Sequence, residues 1–268
     1  MNEKDVFIIQ PYLKVNKIYK ETDLYEAKKL IEAINLNPSL LKLVGLDKIN
    51  SKTFINSGLV IELKNEVIYK KIDLIFINSN LSPIQQRNLE KEIRCKVIDR
   101  TGLILEIFGA RAQSNEGKLQ VQLASLQYQK SRLVRSWTHL ERQRGGAGFM
   151  GGPGESQIES DRRQITEQIN RIKLKIKKIN KTRDLQRYRR KKNNIPIISL
   201  VGYTNSGKST LFNNLTNSDV LAKDMLFASL DSTIRKLKIN KRNFILVDTV
   251  GFIKSLPTRY RSFADGRK

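Results

Sequence analysis

The stretch Ile195-Pro-Ile-Ile-Ser-Leu-Val-Gly-Tyr-Thr-Asn-Ser-Gly-Lys-Ser-Thr210 restricts what this chain can fold into more than any other. A short apolar run ends in Gly202. Gly202-x-x-x-x-Gly207-Lys208-Ser209 follows and leads into Leu211-Phe212-Asn213-Asn214-Leu215, which has helical character. Strand, glycine-rich loop and helix in that order are the context in which this spacing reads as a phosphate-binding P-loop. Gly202 and Gly207 permit backbone angles and close approach that a side chain would block. The loop amides of Tyr203, Thr204, Asn205 and Ser206, with the helix N-terminus, then face an anion. Lys208 supplies a fixed positive charge for the β- and γ-phosphates, and the Ser209 hydroxyl is a Mg²⁺ ligand.

A second landmark follows at the distance a GTPase-type nucleotide domain requires. Asn243-Phe-Ile-Leu-Val-Asp248-Thr249-Val250-Gly251 is an apolar strand ending in Asp-x-x-Gly. Asp248 is expected to hold Mg²⁺ through water, and the Gly251 N–H to sense a γ-phosphate. Loops of this kind switch between ordered and released states on hydrolysis.

At 268 residues the length suggests about two domains. The formal charge of +24 points to a polyanionic partner, whether RNA, DNA or an acidic membrane surface. The single cysteine, Cys95, rules out an internal disulfide and reads as a buried structural thiol in a reducing compartment. No apolar run approaches the length of a membrane helix, and Met-Asn-Glu-Lys-Asp carries no signal-peptide pattern, so the expected location is cytoplasmic. His139, the only histidine, reads as a packing residue beside Trp137. There is no Cys/His or Ser/His/Asp constellation.

Residues 1–100 read as a small α/β domain. Val6-Phe-Ile-Ile is a strand, and Asp23–Ile34 has helical spacing with Thr22 or Asp23 as its cap. Leu59–Lys71 is predicted helical and Ile72–Ile77 a buried strand. Ser82-Pro83 opens another helix, and Lys96-Val-Ile98 closes the unit. The alternation predicts a small parallel sheet, with docking or scaffolding as its role. Residues 101–193 read as an antiparallel, coiled-coil-like hairpin. Leu119, Leu123, Leu126, Leu133, Trp137 and Leu140 form one seam, and Ile158, Ile165, Ile169, Ile172, Ile176 and Ile179 the other. Gly145–Gly154, the tip, is expected to be non-helical and to have a role of its own. The outer face of the second helix is basic, with Arg162, Arg163, Arg171, Lys173, Lys175, Lys177, Lys178 and Lys181 leading into Arg187-Tyr-Arg-Arg-Lys-Lys192. Few acids interleave it, so contact with nucleic-acid phosphates is expected. Asn193-Asn194 is the expected linker to residues 194–268, a partial P-loop domain.

The order of parts resembles HflX, a family of ribosome-associated GTPases. The matching segments are Asp99-Arg-Thr101, Ile107-Phe-Gly-Ala-Arg-Ala112, Lys118-Leu-Gln-Val-Gln-Leu123 and Trp137-Thr-His-Leu140. Gly151-Gly-Pro-Gly-Glu-Ser-Gln157 with Glu159-Ser-Asp-Arg-Arg163, and Asp248-Thr-Val-Gly-Phe-Ile253, continue the match to about Pro257. A Gly-Pro-Gly-Glu segment inside a helical hairpin before a P-loop is the most specific of these. The resemblance implies GTP as substrate with Mg²⁺, and binding to the large ribosomal subunit and its RNA through the N-terminal region and hairpin. It also implies splitting or rescue of stalled ribosomes. A monomer is expected.

The family's first switch is Phe-Ala-Thr-Leu-Asp, where this chain has Phe227-Ala228-Ser229-Leu230-Asp231. The resemblance makes this segment part of the nucleotide site and Ser229 a Mg²⁺ ligand, with Thr233 the weaker candidate. Phe252 stands where Ras-type enzymes place a water-orienting glutamine, so intrinsic hydrolysis is expected to be slow and stimulated by a partner surface. From Ile195 on, only about half of the roughly 150 residues of such a domain is present. No Asn-Lys-x-Asp follows, so nothing here rejects adenine and an ATPase stays open. A chain truncated within this domain is the expectation, and a non-catalytic RNA- or ribosome-binding protein is the alternative.

Overall fold

A computed structural model describes residues 5–16, 21–143, 153–192, 195–204, 206–216, 233–239 and 242–252. The chain forms two compact units, residues 1–107 with 127–165 and residues 108–126 with 166–268.

The first unit is a parallel α/β sheet. Strand β1 (Asp5–Leu13) leads through helix α1 (Glu21–Glu32) to β2 (Asn37–Leu46). Helix α2 (Ser57–Lys70) then leads to β3 (Leu74–Ile77), and α3 (Pro83–Ile93) to β4 (Lys96–Asp99). The strands lie in the order β2-β1-β3-β4, all parallel, with a register slip between Val6 and Phe7 against β2. Strand period divides the core in two. Phe7, Ile9, Ile75, Ile77 and Val97 join Val60, Leu63 and Val67 of α2 and Leu89 and Ile93 of α3 in one buried cluster. Val6, Ile8 and Phe76, fully buried too, point to the other face. Each fully buried chain of this size contributes about 1.5–3 kcal/mol.

Local chemistry sets the boundaries. Ser82 closes a capping box with Gln85, and Pro83 occupies the first turn, as the sequence predicts. Helices α2 and α3 each end on a left-handed residue, Lys71 and Arg94. Helix α1 begins at Glu21, so Thr22 and Asp23 lie in its first turn and not at its cap. Cys95 is buried, and its thiol donates to the Ile72 carbonyl at 3.5 Å. Burial first, and the Asp73 carboxylate second, push that thiol above its ordinary pKa, which fits the inert role expected of it.

Helix α4 (Arg100–Arg111) follows β4 directly, and α5 (Asn115–Gln143) and α6 (Pro153–Lys192) are the two long helices. In the second unit, Glu116 near the start of α5 meets Arg183 near the end of α6 at 2.6 Å, which sets these segments antiparallel. The seam departs from the predicted one on α5. Gly117, Val121 and Ala124 are buried, whereas Leu119, Leu123 and Leu126 are half-buried. On α6, Ile169, Ile172 and Ile176 are buried as expected. Helix α6 includes Pro153 and Gly154, which the sequence reading left outside it. A proline lacks the N–H that a first helical turn leaves unused. The rest of the tip, the side chains of Trp137, His139 and Ile158, and Asn193-Asn194 lie outside the described residues.

The second unit also holds a three-stranded sheet. β5 (Ile197–Leu200) pairs parallel with β7 (Arg242–Asp248), and β6 (Thr233–Ile239) pairs antiparallel on β7's other side. Helix α7 (Lys208–Thr216) follows β5 and anchors itself through the fully buried Phe212.

Candidate functional site

The P-loop lies between the end of β5 and the start of α7. Gly207 has a φ of +78°, a left-handed angle that a side chain resists, and its carbonyl accepts from the Leu211 N–H at 2.9 Å. At Gly202 an added Cβ would come within 3.0 Å of Ser206 Oγ. The Lys208 ammonium folds back over the loop and donates to the Tyr203 carbonyl at 2.6 Å. Burial pulls its pKa below the ordinary lysine value, and the Asp248 carboxylate partly offsets that.

Asp248 is buried at the end of β7, in register with Leu200 of β5 and opposite Thr233 of β6. The Ser209 hydroxyl donates to Asp248 Oδ2 at 2.6 Å. Among the described residues Asp248 Oδ1 is buried with no hydrogen-bond partner. A carboxylate oxygen left without a donor, beside a hydroxyl, is a hard-oxygen set that fits Mg²⁺. Thr249 closes the turn by donating to the Leu200 carbonyl at 2.6 Å.

Beyond Asp248 the chain folds onto the P-loop. The Phe252 N–H donates to the Gly202 carbonyl at 2.9 Å, and the Thr204 N–H donates to the Phe252 carbonyl at 2.9 Å. Tyr203 and Phe252 thereby pair as a parallel bridge, and their rings meet edge to face at 6.3 Å and 81°. Gly251 is wedged against Thr204, where a Cβ would lie 2.6 Å from the Thr204 Cα. So Gly202, Tyr203, Thr204, Ser206, Gly207, Lys208, Ser209, Asp248, Thr249, Val250 and Gly251 form one cluster. Asn205 and the segment Phe227–Asp231, Ser229 included, lie outside the described residues. The bridge was not legible in the sequence. Two residues separate Leu200 from Tyr203 and three separate Asp248 from Phe252, so simple strand register fails there.

A second polar cluster sits at the end of β4. Asp99, 1% exposed, accepts from the Leu81 and Gly102 N–H groups at 3.2 and 2.7 Å. From α5 the Tyr128 hydroxyl and the Arg132 guanidinium also donate to it, at 2.6 and 2.9 Å. Arg100 reaches Asn78 at 2.6 Å and Glu26 at 3.0 Å, and Thr101 donates to Asn80 at 2.8 Å. The resemblance singled out Asp99-Arg-Thr101, but nothing in their spacing showed that all three are buried anchors.

On α6, Arg162, Arg163, Arg171, Lys173, Lys175, Lys177, Lys178 and Lys181 are exposed, as are Arg187 and Tyr188. Arg171 pairs with Glu167 at 3.7 Å, one turn away on the same helix. No described helix is long and apolar enough to cross a membrane.

Three family models match in succession: GTP-binding GTPase N-terminal over residues 21–109, GTP-binding GTPase middle region over 111–190, and 50S ribosome-binding GTPase over 197–266. The chain is 53% identical over 235 residues to GTPase HflX of Magnetococcus marinus, and 46% over 237 residues to that of Escherichia coli K12. The chain belongs to the HflX GTPase family. These alignments cover 87% and 88% of this HflX-family chain but 54% and 55% of the relatives, so it spans about half their length. Among solved structures, a GDP complex of a protein named SsGBP is similar at a TM-score of 0.57 and 27% identity, covering 97% of this chain and 66% of that one. A GTP-binding protein of Sulfolobus solfataricus in complex with GDP is similar at 0.53 and 26%, covering 97% and 65%.

Proposed function

We propose that this HflX-family chain binds GTP with Mg²⁺ at the Lys208–Ser209–Asp248 cluster and hydrolyses it while engaged with the large ribosomal subunit, in splitting or rescue of stalled ribosomes. The carrying observation is the pairing of the Ser209 hydroxyl with a buried aspartate that keeps one oxygen without a donor. Lys208 gives up its contact with the Tyr203 carbonyl to neutralise phosphate charge. Ser209 and Asp248 would hold the metal, with Ser229 completing the set from the first switch. When bound, Mg²⁺ would neutralise phosphate charge. The Phe252 ring has no hydrogen-bonding group to orient water, so turnover depends on a partner surface.

The division into residues 1–100, 101–193 and 194–268 is part of this reading, as are a cytoplasmic location and a monomeric state. The exposed basic row of α6 supports contact with ribosomal RNA through phosphates. That row, with the apolar Phe252, also favours a second reading, RNA or ribosome binding without turnover.

A fluorescent-GTP titration with Mg²⁺, competed with GTP and ATP and run beside Lys208→Ala, separates them. Saturable binding that the variant loses and GTP alone displaces supports the first reading. Displacement by ATP as well removes the guanine preference, and absence of binding leaves RNA binding as the activity.

A further inference from the structure

The segment Thr249-Val250-Gly251 is held at both ends. Asp248 fixes one end inside the sheet, through its register with Leu200 and its bond from Ser209. Phe252 fixes the other, through two backbone hydrogen bonds to Gly202 and Thr204. The Asp248 side of this seam has one residue more than the P-loop side. Thr249, Val250 and Gly251 therefore bulge, all three buried, with Gly251 pressed on the Thr204 backbone. The Asp248 anchor is deep in the fold, whereas the Phe252 anchor lies at its margin. Tyr203, which covers Phe252 edge to face, is 65% exposed.

We infer that Tyr203 is a positioning residue of the nucleotide site: its ring clamps Phe252 to the P-loop and so fixes where the Gly251 amide stands. The inference rests on the nucleotide reading above for its consequence, but the clamp itself is present without nucleotide. Two hydrogen bonds at a half-open margin exchange readily with water. The aromatic contact is what biases that equilibrium toward the closed seam. Loosening it leaves the β-phosphate cradle of Gly207 and Lys208 unchanged and releases only the loop that meets a third phosphate. Tyr203 thus governs the preference for a triphosphate over a diphosphate, without touching the reacting atoms.

Two measurements on the full chain test this, with wild type, Tyr203→Phe and Tyr203→Ala. The first is hydrogen exchange, without nucleotide, of a peptide spanning Asp248–Phe252. Tyr203→Ala is expected to exchange roughly threefold to tenfold faster, the range an edge-to-face pair supports, and Tyr203→Phe to track wild type. Equal exchange in all three proteins overturns the clamp. The second is the affinity for a fluorescent non-hydrolysable GTP analogue against fluorescent GDP. Tyr203→Ala is expected to lose about threefold to tenfold on the analogue alone, with Tyr203→Phe restoring it. An equal loss on both nucleotides overturns the positioning role, since a general weakening of the fold would give that result. Wild type binding neither nucleotide refutes the nucleotide reading and the triphosphate preference, while the exchange data still decide the clamp.

Discussion

The Tyr128 hydroxyl donates to Asp99 Oδ1 at 2.6 Å, tying helix α5 to the end of strand β4. Arg132, one turn further along α5, binds the other oxygen at 2.9 Å and lies over the Tyr128 ring at 4.1 Å. Asp99 is therefore a point at which the later part of α5, residues 127–143, is fixed to the sheet of the first unit.

Replacing Asp99 by Asn removes the charge and leaves the Arg132 guanidinium, itself only 19% exposed, without its anion. The expected cost is about 3 kcal/mol, the scale for breaking a buried pair from one side. Tyr128→Phe removes one bond to a charged acceptor, for about 1.5 kcal/mol. Urea unfolding followed by circular dichroism measures both. A Tyr128→Phe loss larger than the Asp99→Asn loss would mean that the phenol hydroxyl, and not the charge of the carboxylate, holds the joint.

Burial first, then the charge and hydrogen bond of Asp99, push the Tyr128 phenol well above its ordinary value of 10.0, with Arg132 opposing. The native state keeps this proton where the unfolded chain releases it. Its contribution is thus fully present below pH 10 and is lost as pH rises beyond it, by about 1.4 kcal/mol per pH unit. The stability gap between wild type and Tyr128→Phe should narrow from pH 10 to 11 and be constant from pH 8 to 9. Urea midpoints at those four values give the answer, because other titrations are common to both proteins and cancel.

Glu116 is 7% exposed in its side chain and meets Arg183 at 2.6 Å, while Gln120 donates to its other oxygen at 2.9 Å. Arg183→Ala strands a buried charge and is expected to cost about 2 kcal/mol, whereas Glu116→Gln with Arg183→Ala together should cost less than the sum. A double-mutant cycle by thermal unfolding reads the coupling. Additive losses would show that the pair does not fasten α5 to α6.

The glycines of the candidate site should rank by what surrounds them. Gly251→Ala places a Cβ 2.6 Å from backbone that cannot yield, at an expected cost of about 1–3 kcal/mol. Gly207→Ala meets open space and bears only the strain of φ +78°, about 1 kcal/mol. Gly202→Ala meets the movable Ser206 hydroxyl at 3.0 Å and should be mildest. Differential scanning fluorimetry orders the three, and a Gly202→Ala loss above that of Gly251→Ala would contradict the seam.

Much of this fold is legible in the sequence, because residues 6–9 of β1 and 75–77 of β3 are buried on both faces and read as continuous apolar runs. Strand β2 is not, since Pro38 and Gly45 interrupt it and Leu40-Leu41-Lys42-Leu43-Val44 follows neither the strand nor the helix period. Only the second edge of β1 calls for it. At the candidate site, Lys208, Ser209 and Asp248 were visible because phosphate and metal chemistry prescribes residue type and spacing. The Tyr203–Phe252 contact was not, because a one-residue bulge between the two chains leaves no trace in either of them. On α5, three-four spacing favours the large leucines, whereas burial falls instead on the smaller Gly117, Val121 and Ala124.

Strand β2 also bears on how the chain emerges during synthesis. It is a ten-residue edge, paired only with β1 among the described strands. Pro38 leaves it one donor short, but Leu41 and Leu43 remain about two-fifths exposed. β1 and β2 are both complete some thirty residues before β3 can fill the inner edge of β1. Through that interval a two-stranded ribbon presents two open edges, a template for pairing between neighbouring nascent chains. Association of this kind should set the soluble yield of the protein at high expression, independently of the stability of the finished fold.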